Sequence, residues 1–260
     1  MTCPCTNDNF KNVSLDTLII VQARMGSTRL PGKVMKQILD RPLLAFLIER
    51  LKRVRHAGQV VVATTTSPAD LPIVEWCRDH EVDCTRGSEE DVLDRYLQTA
   101  RKCQARTIVR ITADCPLVDP EVIDKVISFY ESHAGEYDYV TNCLTRTYPR
   151  GMDTEVFSMA ALEQAHREGR APSDREHVTI YLYHHEDRFR LANVTDVKDR
   201  SCYRLTVDTP EDFELIRRLL ENLYPSHPAF GLEDMVRVLE AHPDWAALNA
   251  NVKQKAVPPA

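Results

Sequence analysis

Short apolar runs alternate with amphipathic segments along most of this chain. Five runs are rich in Val, Ile and Tyr and predict β-strands at 17–23, 59–64, 107–112, 137–142 and 203–208. The segments between them repeat apolar residues with a helical period and predict helices at 42–53, 70–80, 89–102, 120–132 and 210–223. Several strands are continuous Val/Ile runs, which is typical of strands covered on both faces. The alternation therefore predicts an α/β fold of three layers around a mostly parallel sheet.

Residues 146–193 interrupt this alternation. They contain two further helical patterns, 160–169 and 173–185, and a strand-like run at 189–194. We interpret the segment as an insertion that covers one end of the sheet, within a single domain of residues 16–250. Residues 1–15 and 251–260 lack any apolar period, so we expect an N-terminal arm and a C-terminal tail.

Composition narrows the class of protein. The 260 residues are 43% hydrophobic and 28% charged, with a formal net charge of −6. This acidic balance argues against a broad nucleic-acid-binding surface, and the longest apolar runs are too short to span a membrane. The eight cysteines form no C-x-x-C pair, and we expect no secretory signal because "MTCPCTNDNF" has neither a basic nor a long apolar segment. We expect a cytoplasmic protein with reduced thiols.

The loop after the first strand, "QARMGSTRLPGK", concentrates positive charge. Arg24, Arg29 and Lys33 lie there together with Gly26 and Gly32. The pattern is not a Walker P-loop, because the glycine spacing is one residue too long and a valine takes the Ser/Thr position. Ligands of open α/β sheets bind at the carboxyl ends of strands. The loop is either a polyphosphate site or a basic surface turn.

Two aspartates follow predicted strands without an evident structural task. Asp114 precedes a helix that Asp119 already caps, and Asp208 precedes one capped at Thr209. A turn-forming aspartate is the structural alternative. Carboxylates at the same sheet edge as a cationic loop favour a Mg²⁺ ion that bridges them to the phosphates. Mg²⁺ usually binds one or two protein carboxylates and completes its coordination shell with phosphate and water.

Six motifs together resemble a known family. In chain order they are "QARMGSTRLPGK", "RGSEEDVLDRY", "RITADCPLVDP", "MDTEVF", "REHVT" and "VDTPEDFE". They resemble the SpsF-like branch of the cytidylyltransferases, which is related to the CMP-sugar-acid synthetases such as 3-deoxy-manno-octulosonate cytidylyltransferase. The resemblance spans roughly residues 18–220. It implies a Rossmann-like, GT-A-like nucleotidyltransferase fold, a homodimer, and Mg²⁺-dependent transfer of CMP from CTP to a sugar acid with release of pyrophosphate.

The resemblance also implies roles for individual residues. Catalysis is expected from Arg29, Lys33, Asp114 and Asp208, and the last two would bind Mg²⁺. The nucleotide contacts are expected at Gln22, Ala23, Arg24, Gly26, Ser27, Arg29, Lys33, Arg86, Ser88 and Asp91.

The acceptor pocket is expected within the insertion. Its polar groups near turns and helix starts are Asp153, Glu155, Arg175 and His177. For His177 a satisfied helix histidine is the structural alternative. Capping boxes are expected at 88–91 and 173–176, so the acidic residues in them could serve only to cap helices.

Two other functions are compatible with these patterns. A GT-A-type glycosyltransferase also binds a nucleotide and a metal, but such enzymes generally use a D-x-D pair, whereas the sequence around Asp114 is "TADCP". A non-catalytic nucleotide-binding homologue would bind CTP without releasing pyrophosphate. Analysis of the products distinguishes the three.

Overall fold

The computed structural model describes residues 17–254. The strands are β1 Thr17–Gln22, β2 Gln37–Ile38, β3 Arg41–Pro42, β4 Gln59–Thr65, β5 Asp83–Gly87, β6 Thr107–Thr112, β7 Tyr139–Thr141, β8 Glu155–Ser158 and β9 Leu191–Asn193. The α-helices are α1 Leu43–Leu51, α2 Leu71–Asp79, α3 Val92–Lys102, α4 Pro120–Ser132, α5 Met159–Glu168, α6 Pro172–His177, α7 Ile180–His184, α8 Pro210–Leu223, α9 Leu232–Ala241 and α10 Pro243–Ala247. Short 3-10 turns lie at Lys33–Met35 and Pro68–Asp70.

Seven strands form the central sheet in the order β5-β4-β1-β6-β8-β7-β9. The pairs among β5, β4, β1 and β6 are parallel, whereas β8 is antiparallel to both of its neighbours. The carboxyl ends of β1, β4 and β6 therefore meet at one edge, as the predicted mostly parallel sheet requires.

Alternate residues of β1 face opposite layers. Ile19 and Val21 pack in a cluster with α1, α2 and α4, while Leu18 and Ile20 pack with α3, α5 and α7. All four side chains are fully buried, and each contributes about 1.5–3 kcal/mol by leaving water. A third cluster joins α8 and α9 to the remaining face of α1. The predicted three-layer arrangement is confirmed.

The predicted strand at 203–208 is wrong. The segment makes only an isolated bridge, between Arg150 and Arg204, and its amides bond to loop carbonyls or to a carboxylate rather than to a neighbouring strand. Conversely, β8 lies between β6 and β7, so the segment 146–193 supplies part of the sheet and does not merely cover one end.

The single helix predicted at 173–185 is also wrong. The chain forms α6 and α7, separated by Val178 and Thr179, and the Val178 φ of 58° is incompatible with a continuous right-handed helix. Helix α6 begins one residue earlier than expected, and the Asp174 carboxylate accepts the Ala171 amide at 3.0 Å. A capping box at 173–176 is therefore not formed.

The predicted termini lie largely outside the described residues. The arm at 1–15 is outside them, as are residues 255–260 of the tail. Residues 253 and 254 of the predicted tail contact the loop after β1 and the segment before α8. No helix within residues 17–254 combines the length and the apolar character that crossing a membrane requires.

Candidate active site

The loop after β1 is held closed by its own backbone. The Gly32 amide donates to the Met25 carbonyl at 3.0 Å, and Gly32 has a φ of 65°, a conformation that favours glycine. The Met25 amide donates to the buried carboxylate of Asp70 at 2.7 Å. This closure directs Lys33, the first residue of the following 3-10 turn, toward the carboxyl end of β6.

Lys33 lies between the two predicted metal ligands. Its Nζ donates to Asp114 Oδ2 at 3.0 Å and to Asp208 Oδ1 at 2.9 Å. The Lys33 side chain is 12% exposed, and those of Asp114 and Asp208 are 26% and 13% exposed. Two carboxylates separated by 94 residues of sequence thus converge beside the cationic loop, and Lys33 is not part of a surface turn.

A second set of cations holds the other oxygen of Asp208. Arg29 lies 3.0 Å and Arg204 2.7 Å from Asp208 Oδ2. Arg204 also donates to both oxygens of Asp212, a fully buried carboxylate that accepts the Asp208 and Thr209 amides. Asp212 thereby links the start of α8 to the orientation of Asp208.

Charge pairing dominates the ionisation of this cluster. Burial alone would lower the pKa of Lys33, but the charges of Asp114 and Asp208 outweigh it and raise that pKa above its ordinary value. Burial alone would raise the pKa of Asp114, but the Lys33 charge and a hydrogen bond from Thr112 hold it below its ordinary value. Lys33 is charged and Asp114 is ionised at neutral pH.

The donor set fits Mg²⁺. One oxygen of each carboxylate faces the point now occupied by the Lys33 ammonium, while the opposite oxygens accept from Thr112, Arg29 and Arg204. Among residues 17–254 no three His, Cys, Asp or Glu side chains converge as a metal cage. One or two protein carboxylates, completed by phosphate and water oxygens, are the ligands that Mg²⁺ usually takes.

A small cleft of about 140 Å³ adjoins the amino end of the loop. Its lining includes Gln22 at the end of β1, Ala23 and Arg24 directly after it, and Glu176 and His177 of α6. The structure therefore brings predicted nucleotide contacts and one predicted acceptor contact to the same place.

The other members of the loop lie nearby. Arg24 lies 3.7 Å from Glu89, and both side chains are about half exposed, so the ion-pair partner of Arg24 is Glu89 rather than Asp114 or Asp208. The Ser27 hydroxyl accepts the Leu30 amide at 3.4 Å, and Gly26 packs near Glu89. Ser27 and Gly26 thus shape the turn.

The predicted contacts in 86–91 and 175 have structural partners. Arg86 belongs to β5, not to a helix start, and its guanidinium donates to the carbonyls of Thr65 and Ser67. Ser88 accepts the Asp91 amide at 3.0 Å. Asp91 caps α3 and pairs with Arg175, so this region joins α3 to α6. The expected position of Arg86 is corrected accordingly.

Two predicted acceptor contacts are already engaged. Glu155 is buried in β8 and accepts from Arg110, from Tyr139 at 2.6 Å and from Thr179 at 2.7 Å. Three protein donors engage its carboxylate, and its predicted acceptor role stays a prediction. Asp153 pairs with Arg146, and its side chain remains 36% exposed.

Sequence reasoning missed three residues of this site. Arg204 lies four residues before Asp208, and its spacing from two carboxylates was the available signal. Arg95 lines the cleft, and its buried Nε has no hydrogen-bond partner within residues 17–254. Arg150 has no ion-pair or hydrogen-bond partner for its guanidinium in the same range, and no local pattern signals this.

A Rossmann-like sheet with a cationic loop and paired aspartates at its carboxyl edge is the arrangement expected of a nucleotidyltransferase, because open α/β sheets bind their ligands at that edge. A match to the cytidylyltransferase family covers residues 18–241. The chain belongs to that family and is therefore a nucleotidyltransferase enzyme.

Individual relatives agree with this assignment. The chain is 33% identical to the spore coat polysaccharide biosynthesis protein SpsF of Bacillus subtilis, over 89% of this chain and 97% of that one. It is 29% identical to a 3-deoxy-manno-octulosonate cytidylyltransferase of Anaeromyxobacter sp. strain K, over 78% and 96%. A cytidylyltransferase structure from Leptospira borgpetersenii superposes with a TM-score of 0.86 at 34% identity, covering 93% of this chain and all of that one.

Proposed function

We propose that this enzyme transfers CMP from CTP to a sugar acid, releasing pyrophosphate, in the synthesis of a surface polysaccharide or glycoconjugate precursor. The observation that carries the proposal is the convergence of Lys33 Nζ on Asp114 and Asp208, beside Arg29. CTP is proposed as the nucleotide because the chain belongs to the cytidylyltransferase family. The names of SpsF and of the 3-deoxy-manno-octulosonate enzyme indicate the class of acceptor.

The chemistry requires positioning and charge more than a covalent nucleophile. An acceptor hydroxyl oxygen bonds to the α-phosphorus of CTP as the bond from that phosphorus to the β-phosphate oxygen breaks. The electron pair leaves with pyrophosphate, and the hydroxyl proton is released to solvent. Arg29 and Lys33 stabilise the charge on the departing pyrophosphate, and the loop around Ser27 orients the phosphates.

Asp114 and Asp208 are the proposed ligands of Mg²⁺. When bound, Mg²⁺ supplies positive charge that offsets the negative charge of the α-phosphate and the entering oxygen. Without such a cation the two aspartates would repel the phosphates that Arg29 and Lys33 attract. Thr112 and Arg204 orient the two carboxylates through their other oxygens.

A cation whose guanidinium has no ion-pair partner within residues 17–254 supports an acidic acceptor. Arg150 lies beside the segment that leads to Asp208, since its amide donates to the Tyr203 carbonyl at 3.2 Å. Burial and repulsion from Arg146 lower its pKa, and Asp153, the nearby carboxylate, is engaged by Arg146. A sugar-acid carboxylate would neutralise this guanidinium.

Further features of the proposal concern the whole protein. We expect a cytoplasmic homodimer that binds neither nucleic acid nor membrane, and sedimentation of the purified protein measures its oligomeric state. We expect residues of the loop after β1 and of the adjoining cleft to contact the nucleotide. His177 is expected to contact the acceptor.

A pyrophosphate-release assay tests the proposal. It combines Mg²⁺, each of the four nucleoside triphosphates, and a panel of sugar acids, sugar phosphates and polyols. We expect release with CTP and a sugar acid, and a loss of at least about 100-fold in Asp114→Ala and Asp208→Ala. Asp83→Ala, at the far end of β5, is the matched control and should keep the wild-type rate.

Each alternative gives a different product. Release of a nucleoside diphosphate from a nucleotide sugar would indicate a glycosyltransferase. Binding of CTP without pyrophosphate release for any acceptor would indicate a non-catalytic homologue. An aspartate variant that folds and retains the wild-type rate would remove that residue from the mechanism.

A further inference from the structure

The ammonium of Lys33 occupies the point on which both metal-binding oxygens converge. Asp114 Oδ2 and Asp208 Oδ1 lie 3.0 and 2.9 Å from Lys33 Nζ, and no other described cation contacts these two oxygens. We propose that Lys33 holds the metal position in the nucleotide-free enzyme, so that a divalent cation binds there tightly only when the triphosphate draws Lys33 away. The inference rests on the proposed function, whose metal site it concerns.

The other donors of the cluster do not obstruct a metal. Arg29 and Arg204 contact Asp208 on Oδ2, the oxygen opposite the one that faces Lys33. Thr112 donates to Asp114 Oδ1, again the opposite oxygen. Displacement of one side chain is therefore sufficient to open a two-oxygen site whose carboxylates are already oriented.

The Lys33 side chain is able to move while its backbone stays in place. The Gly32 amide and the Met25 carbonyl close the loop at 3.0 Å, so the main chain around Lys33 is fixed. A lysine has a flexible four-carbon stem, and its ammonium is a point charge with no geometric preference among anions. The β- and γ-phosphates of a bound nucleotide offer that ammonium a replacement for two carboxylates.

The consequence is a coupling between the two ligands. A free divalent cation has to displace a charged ammonium, whereas a cation that arrives with the triphosphate finds Lys33 engaged by phosphate. By linkage, metal and nucleotide each raise the affinity for the other. Removal of the ammonium should abolish the competition and leave the two carboxylates open to a cation.

Binding of Mn²⁺ to the nucleotide-free protein tests this, with the EPR signal of free Mn²⁺ as the readout. We expect the wild type to bind Mn²⁺ weakly and Lys33→Met to bind it at least about tenfold more tightly. Lys36→Met removes one nearby charge from a lysine that stacks over Phe213, and it should match the wild type. Lys33→Gln serves as the second variant if Lys33→Met does not fold.

The outcomes separate this inference from the proposed function. Equal Mn²⁺ affinity in the wild type and Lys33→Met, or no binding by either Lys33 variant, would overturn the inference. Pyrophosphate release that still depends on Asp114 and Asp208 would in that case leave the proposed function standing. Retained release after loss of both aspartates would overturn the proposed function instead.

Discussion

Glu155 carries a buried negative charge at the centre of the sheet. Its strand lies between β6 and β7, and its carboxylate accepts from Arg110, Tyr139 and Thr179. Burial alone would raise its pKa, but Arg110 and the two hydroxyl donors hold that pKa below 4.5. Because the folded-state pKa is depressed, Glu155 stabilises the fold above pH 4.5, and this stabilisation is lost as the pH falls below that value.

We expect Glu155→Gln to lower the free energy of unfolding by about 3–5 kcal/mol at pH 7, because Arg110 is left buried without a counter-charge. The difference from the wild type should shrink as the pH falls below 4.5. Urea unfolding between pH 7 and pH 3.5 measures both effects.

Glu163→Gln is the matched control for this prediction. Glu163 pairs with Arg101 at 2.9 Å on the surface, where an ion pair contributes about 1 kcal/mol or less. A difference between wild type and Glu155→Gln that stays constant across the pH range would contradict the assigned pKa direction.

At the scale of elements, the backbone of the turn at 149–152 packs in close contact with the segment that leads to Asp208. A Cβ on Gly151 would lie 2.5 Å from the carbonyl carbon and oxygen of Leu205, and Gly151 has a φ of 100°. The Leu205 amide donates to the Arg150 carbonyl at 2.6 Å, and the Val207 amide to the Asp114 carbonyl at 2.7 Å. Close backbone contact thus fixes the approach to Asp208.

We expect Gly151→Ala to cost about 2–5 kcal/mol of stability through backbone strain and overlap with Leu205. Turnover should fall as well, since the segment before Asp208 has to move. Gly135→Ala is the control: Gly135 has a φ of 80° but no atoms near a new Cβ, so only the strain of about 1–2 kcal/mol remains. Thermal unfolding compares the two, and equal losses would show that the contact with Leu205 is unimportant.

Elements with local end signals were predictable from the sequence. The bounds of α4 and α8 match because Asp119 and Thr209 cap them and a proline follows each cap. The segment 203–208 alternates like a strand, yet its amides bond to a turn and to Asp114, which are distant in sequence. Strand β8 has only four residues, and local pattern does not reveal which strands will flank it.

At the scale of the whole molecule, the carboxyl-edge rule correctly predicted that Lys33 and Asp114 meet. Both follow parallel neighbouring strands, β1 and β6. Asp208 joins them although it ends no strand, because tertiary contacts bring its segment to the same edge. Arg204 was missed although its spacing from two carboxylates was a signal, since its partner Asp212 has an evident local role as part of the α8 cap.

Residues at the end of the described chain contact the ion pair between Arg204 and Asp212. Asn249 is 3% exposed, and its Nδ2 donates to Asp212 Oδ1 at 2.8 Å and to the Arg204 carbonyl at 3.0 Å. Beyond it, Gln254 accepts from Arg204 at 2.7 Å. Residues after α10 therefore support Arg204 and Asp212, which in turn orient Asp208.

We expect Asn249→Ala to destabilise the fold by about 1–3 kcal/mol, because Asp212 Oδ1 and the Arg204 carbonyl each lose a buried hydrogen bond. The Mg²⁺ concentration for half-maximal pyrophosphate release should also rise, since Arg204 and Asp212 then hold Asp208 less firmly. Asn251→Ala, at an exposed position two residues later, should stay within about 0.5 kcal/mol of the wild type and keep its Mg²⁺ requirement. Thermal unfolding and Mg²⁺ titration of the three proteins measure both quantities. If Asn249→Ala lost stability with an unchanged Mg²⁺ requirement, the chain end would support the fold without reaching Asp208.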